Sequence, residues 1–471
     1  MNAPAGQLNI AFECHQGVSR KLRAGDFCIL IDYQVPAVSD DEEVFKLALA
    51  PGLALARCTS ADTRVAGLPI SAVNTRPAEI EQLLEPLCRN DGDVVVCLSG
   101  RNAEDTGLRG TLASVHSHGI GTVIVTTGFA GPEQYAAPTA AHEFVDSCDL
   151  IRLVRDEYPE MCVGACVNPF KYNISDVYLQ YFKMIRKLNT GADFIVTEAG
   201  WDMKKYQELQ WYLRSRNMNE PIIAKLMFVK QHQIAGILDH RYGGVVMSRE
   251  MAALMERESS INERQATAAQ VRRIAMSAAG CRLFGYSGIQ IGGVDDPQLA
   301  RTLVDNITEA FEEFTDFRRW LTAWNDFHDR VEMAPMRQVH YAFKHLMDKD
   351  YPDYVPDQSL HAAGALPHPT GSERLKFQLA RALRLERRQG VPFDMARQLL
   401  CGHHSGRDWR LDKTFYVCAA ACPKGLESGP CGGTHPDGTC EFGHQPCIYH
   451  RILALANWRN ELESLEAVDE H

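Results

Sequence analysis

The sequence predicts a (β/α)8 TIM barrel followed by a small Cys-rich metal-binding C-terminal domain. From Asp26 to about Val294, short apolar runs alternate with amphipathic stretches of helical period. Parallel strands covered by helices on both faces read this way. About eight such strand–helix units are the arithmetic of a closed barrel. The second observation is that six of the fifteen cysteines crowd between Cys401 and Cys447. A doubly wound sheet is the alternative for the first part. It is weakened because no G-x-G-x-x-G follows any apolar run, so the dinucleotide fingerprint is missing.

In chain order the expected strands are "FCILIDYQV", "LALARC", "DVVVCLS", "GTVIVTTG", "MCVGACV", "DFIVTEAG", "PIIAKLMFV", "GGVVMS" and "GYSGIQIGGV". Helical stretches such as "VYLQYFKMIRKLNTG" and "MKKYQELQWYLRSRN" separate them. Residues 300–350 read as helical, and "DKDYPDYVPDQSLHAAGALPHPTGS" reads as a linker or irregular excursion. A further helix, "ERLKFQLARALRLERRQG", leads to the cysteines. The expected division is a barrel over 1–305, a helical extension and linker over 306–395, and the Cys-rich domain over 396–471.

The net charge is −11 and the basic residues are scattered, so no nucleic-acid footprint is present. No export signal opens the chain and no apolar window is long enough to span a membrane. A cytoplasmic location is expected, where clustered cysteines bind metal more often than they pair.

Barrel chemistry gathers where the strands end. The candidates there are Asp32, Arg101 and Asn102, Thr126 and Thr127, Asn168, Thr197 and Glu198, Lys225 and Gln290. Asp32 and Glu198 are a carboxylate pair converging on one mouth, able to divide proton-transfer and orienting roles. Arg186 and Lys187, on the helix before the Glu198 strand, suit a phosphate clamp. In the tail, Cys418, Cys422, Cys431, Cys440 and Cys447 are separated by three, eight, eight and six residues. Thiols so spaced among Gly and Pro can surround one metal centre. Sulfur-only ligation leaves zinc and a [4Fe-4S] cluster both open.

These stretches resemble methylenetetrahydrofolate reductases. "FKMIRKLNTGADFIVTEAGWDMKKYQEL", "GIGTVIVTTG", "VVVCLSGRN", "VGACVNPFKY" and "ILIDYQVP" carry the resemblance over most of residues 26–300. "FYVCAAACPKGLESGPCGGTHPDGTCEFGHQPCIYHR" closely resembles the Cys-rich C-terminal domain attached to, or partnered with, a subset of that family. The resemblance implies a flavin (FAD or FMN) across the barrel mouth that interconverts methylene- and methyl-tetrahydrofolate. It places Asp32 at the family's first-strand Glu as acid/base, and Glu198 at a folate-contacting Gln. Phe129 falls where the family has an Asp near flavin and folate. Arg186 and Lys187 match the phosphate-contacting pair, Arg101 and Asn102 a third-strand feature, and Thr59 a flavin-contacting Thr. Thr127 and Asn168 join the expected cofactor contacts, and Lys225 and Gln290 the substrate contacts. In the relatives a further cysteine set precedes the cluster; here "CGHHSGRDWR" keeps Cys401 and shows His403 and His404 instead.

Two other functions remain open. The changes at Phe129 and Glu198 favour a flavin-independent methyltransferase or demethylase with tetrahydrofolate as methyl acceptor. A non-catalytic electron-transfer or scaffolding subunit is the third reading. The expected partners are a folate-type small molecule, an electron-donor protein or partner subunit, and further copies of the chain in a homo-oligomer.

Overall fold

The computed structural model describes residues 17–36, 42–57, 65–71, 77–88, 93–101, 105–130, 144–343, 346–347, 366–402, 410–443 and 445–468. Eight parallel strands close into a barrel: β1 (Cys28–Ile31), β2 (Val65–Ser71), β3 (Val94–Ser99), β4 (Thr122–Thr126), β5 (Cys162–Val167), β6 (Phe194–Thr197), β7 (Ile222–Met227) and β8 (Gly288–Gly292). Their order follows the chain, and β8 closes on β1 through pairs such as Leu30 with Gln290. Alternation along the strands sends one set of side chains into the lumen and the other toward the helices.

The lumen core is Cys28, Leu30, Ala66, Val95, Ile124, Cys162, Phe194, Val196 and Ile223. Val18 and Leu22 of the helix Gly17–Ala24 pack into this same cluster and close the end where the strands begin. Gly164 on β5 is required by the Phe194 ring, which approaches to 2.4 Å of where a Cβ would stand. The other strand faces form a continuous core with the surrounding helices.

Seven of the expected runs are barrel strands, and two are not. Within "LALARC", Leu53 to Ala56 belong to the helix Glu42–Ala56, whose apolar residues are continuous enough to imitate a strand. The true second strand is "VAGLPIS", disguised by Gly67 and Pro69. Pro69 lacks an N–H to donate, yet its carbonyl accepts from Tyr33 at 2.8 Å, so the strand still joins the sheet. "GGVVMS" contributes only Val245–Val246, which pairs with Ala199–Gly200 above the barrel.

The helical reading of 300–350 holds for Pro297–Glu313 and Phe317–Phe327. Residues 331–343 contain no helix. The next predicted helix is two: Gly371–Ala382 and Val391–Cys401. Helices Pro297–Glu313 and Val391–Cys401 run through the expected boundaries at 305 and 395.

The Cys-rich segment is mostly loop until the helix Ile448–Arg459. It lies against the helix Ile174–Thr190 and over the mouth of the barrel. His450 Nε2 meets Asp176 Oδ1 at 2.8 Å. At the far end Glu466 accepts from the Tyr212 hydroxyl at 3.0 Å and pairs with Arg216. Among the described residues, no helix is long and apolar enough to cross a membrane.

Candidate active site

A cavity of about 380 Å³ opens where the strands end. Asp32, Arg101, Thr126, Thr197, Glu198, Lys225 and Gln290 all line it, so seven of the strand-end candidates converge. Strand register explains the meeting of the last two, since Gln290 on β8 stands directly opposite Lys225 on β7. Lys225 Nζ lies 3.1 Å from Asp32 Oδ2, an ion pair across the mouth. Asp32 and then Glu198 hold the Lys225 ammonium well above its ordinary value, against the opposing effect of burial.

Glu198 stands just beyond β6. Burial pushes its carboxyl from 4.5 up to about 7, opposed by Lys225 and Lys187 and assisted by the negative charge of Asp32. Its side chain rests against Gly244, where a Cβ would fall 2.2 Å from Oε2; Gly244 also has a φ of +74°. The oxygen Oε1 of Gln290 is buried and has no hydrogen-bond partner among the described residues. A buried carbonyl without a donor costs free energy, which a ligand N–H would recover.

Other expected site residues serve the fold. Thr127 faces away from the cavity and accepts from the Ser147 N–H at 3.2 Å. Asn168 donates to the Gly432 carbonyl at 3.3 Å, so the tail occupies it. Arg186 and Lys187 point apart: Arg186 donates to the Ser464 carbonyl at 3.0 Å, and Lys187 to the Cys166 carbonyl at 2.5 Å. Both are buried and engaged by protein carbonyls, so the phosphate clamp read from their adjacency does not form. Residues one apart on a helix do not share a face. Thr59, Asn102, His403 and His404 lie outside the described residues.

Sequence reasoning missed several cavity residues. Ser99 supplies a hydroxyl to its wall beside those of the expected Thr126 and Thr197. Cys97 and Cys166, read as core cysteines, also line it, and burial pushes both thiols up, Cys166 to about 12. The alternation of lumen-facing positions along β3 and β5 was the available signal.

The five tail cysteines divide. Burial raises the thiols of Cys422, Cys431, Cys440 and Cys447, and Cys431, Cys440 and Cys447 each feel Cys422. Each sulfur also accepts from the backbone N–H two residues on, at Lys424, Gly433, Phe442 and Tyr449. The Gly433 N–H lies 3.3 Å from Cys431 Sγ. Cys418 is instead fully buried beside Cys401, to whose carbonyl its N–H donates at 3.0 Å. Cys418 also packs into the continuous hydrophobic core. Among the described residues, no three or more His, Cys, Asp or Glu side chains are arranged to hold a metal ion.

Between cluster and cavity lies a buried ion pair from the tail, Lys424 with Glu441, at 2.5 Å. Lys424 Nζ donates to the Gly128 carbonyl at 2.6 Å, and Glu441 Oε2 accepts from the Ala130 N–H at 3.0 Å. Lys424 also lies over the rings of Phe129, Phe144 and Phe442 at 5.8, 4.7 and 5.9 Å. Phe129 packs on Gly243, and these two residues separate the cavity from a space of about 50 Å³ lined by Lys171, His240, His435 and Glu441.

Residues 81–275 match the family described as Methylenetetrahydrofolate reductase, and residues 399–471 match Methylene-tetrahydrofolate reductase C terminal. A curated relative, methylenetetrahydrofolate reductase 1 of Schizosaccharomyces pombe, is 26% identical over 151 residues, 32% of this chain. The chain spans 23% of that relative's length. Among solved structures, an uncharacterized protein from Clostridium thermocellum that binds two copies of 5-methyl-5,6,7,8-tetrahydrofolic acid is similar at 13% identity and TM-score 0.47. The match covers 63% of this chain and 99% of that one. Tryptophan synthase from M. tuberculosis is similar at 11% identity and TM-score 0.35, over 62% of this chain and 95% of that one. At these scores neither structure bears on function.

Proposed function

Because the chain belongs to the methylenetetrahydrofolate reductase family, as a divergent member, we propose that it binds a reduced folate in the barrel-mouth cavity and acts on the one-carbon unit the folate carries. The observation that carries this reading is the convergence of the Asp32–Lys225 pair, Glu198 and the unpartnered Gln290 Oε1 on one cavity. The amino-pyrimidine edge of a pterin presents N–H donors, which suit the Gln290 carbonyl and the carboxylate of Asp32.

The roles of the two acids exchange relative to the sequence expectation. Asp32 is held in place by its contact with Lys225 and orients the ring. Glu198, with a carboxyl poised at about 7, gives or takes the proton at the pterin nitrogen as the one-carbon unit changes. Lys187 and Lys225 stabilise its ionised form.

Interconversion of methylene- and methyl-tetrahydrofolate needs a hydride carrier, which in the family is a flavin. The described residues do not fit its phosphate, since Arg186 and Lys187 are bound to protein carbonyls and Thr127 faces away. This arrangement favours the second reading, methyl transfer with tetrahydrofolate as acceptor and no flavin. In the tail, the four thiols that share the i+2 N–H donors are the proposed ligands of one zinc or [4Fe-4S] centre. N–H groups aimed at sulfur stabilise thiolates, and a metal would replace the protons that burial now holds on them.

The test is calorimetric titration of the anaerobically purified protein with 5-methyltetrahydrofolate, alongside its visible spectrum with and without added FMN and FAD. Saturable binding, weakened at least about tenfold in Asp32→Asn, supports the folate site. Absence of binding to the wild type refutes it. Flavin absorbance retained after gel filtration would restore the flavin reading over the transfer reading.

A further inference from the structure

Three consecutive residues after β4, Gly128, Phe129 and Ala130, form one wall of the cavity. Each is held by the same two tail residues: Lys424 binds the Gly128 carbonyl and lies over the Phe129 ring, and Glu441 binds the Ala130 N–H. Both side chains are almost wholly buried, at 1% and 2% exposure, so the pair is structural in strength and shielded from salt. Glu441 Oε1 also accepts from the Cys431 thiol at 3.2 Å, which ties this wall to the cysteine cluster.

We propose that the Cys-rich segment completes the barrel's ligand site, with Lys424 and Glu441 as positioning residues that fix Phe129 as an aromatic wall for a planar heterocycle. The inference rests on the folate reading for the identity of that heterocycle, and on the contacts alone for the closure. Lys424 is spent on protein groups and reaches no ligand, so it acts through Phe129. An aromatic face held at the cavity rim offers stacking to a flat ring system. Where a carboxylate would attract cations and water, Phe129 gives an apolar surface, and the charge at this corner is confined behind it in the Lys424–Glu441 pair. The mouth is thereby built from segments that lie about 300 residues apart in sequence, as the separations of 296 and 311 between bonded residues record.

Removing one charge alone would leave the other buried and unpaired and risks unfolding the segment. The informative variant is the double Lys424→Met/Glu441→Gln, which keeps the volumes and an acceptor for Ala130. Its control is Glu466→Gln, which weakens the remote anchor of the tail at Arg216 and touches nothing at the mouth. Two readouts are taken on the full chain: the dissociation constant for 5-methyltetrahydrofolate, and the rate at which N-ethylmaleimide alkylates Cys97 and Cys166, followed by peptide mass spectrometry.

Both thiols line the cavity and report its opening without any folate. The double variant is expected to bind folate about tenfold or more weaker and to alkylate about tenfold or more faster, with the control unchanged in both. Unchanged alkylation in the double variant would overturn the proposal. So would equal acceleration in the control, which would mean loosening of the tail as a whole. Faster alkylation in the double variant with no folate binding by the wild type would keep the closure and discard the folate reading.

Discussion

Replacing Glu198 by Gln removes a group whose ionisation the folded state resists. Its carboxyl titrates at about 7 in the fold against 4.5 ordinarily, because burial disfavours the charge. The folded state therefore holds this proton more tightly than the unfolded chain does. Stability from this group is present below about pH 4.5 and is lost as pH rises toward about 7. The full gap is worth about 3 kcal/mol at about 1.4 kcal/mol per pH unit. Between about pH 5 and about pH 8 the part developed is about 2.5 kcal/mol. Glu198 faces the cavity and is partly solvated, which lowers the expectation to about 2 kcal/mol. Urea denaturation of wild type and Glu198→Gln at both pH values reads this directly. The variant should gain about 2 kcal/mol on the wild type on going from the lower to the higher pH. Parallel pH profiles for the two proteins would mean that Glu198 titrates normally, and the proton-transfer role would fall with it.

Three other outcomes follow from the same geometry. Lys225→Met removes the largest charge lowering the Glu198 carboxyl, so the midpoint of any pH-dependent folate binding should move above about 7. Gly244→Ala places a methyl group against the Glu198 oxygens at a φ of +74°; thermal denaturation should show a loss of about 1–3 kcal/mol, together with weaker folate binding. Metal analysis by mass spectrometry should show that Cys431→Ser or Cys440→Ser loses bound zinc or iron while Cys418→Ser retains it. Equal loss in all three would return Cys418 to the ligand set.

The barrel was legible because seven of its strands are continuous apolar runs, as burial on both faces requires. The second strand was hidden because Gly67 and Pro69 break the run without breaking the pairing. Asp32, Glu198, Lys225 and Gln290 were legible as a group because strand ends in a barrel share one mouth, whatever the loops do. Arg186 and Lys187 misled because adjacency in sequence was read as a shared direction, whereas the helix turns them apart. Lys424 and Glu441 belong to the Cys-rich pattern that resembles the family's C-terminal domain, but nothing local showed that they pair. A Lys and a Glu among cysteines look like ordinary loop polarity until the fold buries them under Phe129. The cysteines lie between these cases: spacing grouped five, and the i+2 backbone donors seen at Cys422, Cys431, Cys440 and Cys447 become visible only in the fold.

The wall held by Lys424 and Glu441 also sets an order of events during synthesis. Translation runs from the amino end, and the barrel strands are complete once Gly292 has emerged. Lys424 and Glu441 emerge more than a hundred residues later, a delay of about ten seconds or more at ribosomal rates. Until then the nascent barrel has its eight strands and an unfinished mouth, with the backbone of Gly128 and Ala130 open to water. On the proposed closure, ligand capture waits until the Cys-rich segment has emerged, and a chain cut before Glu441 is expected to leave the cavity open.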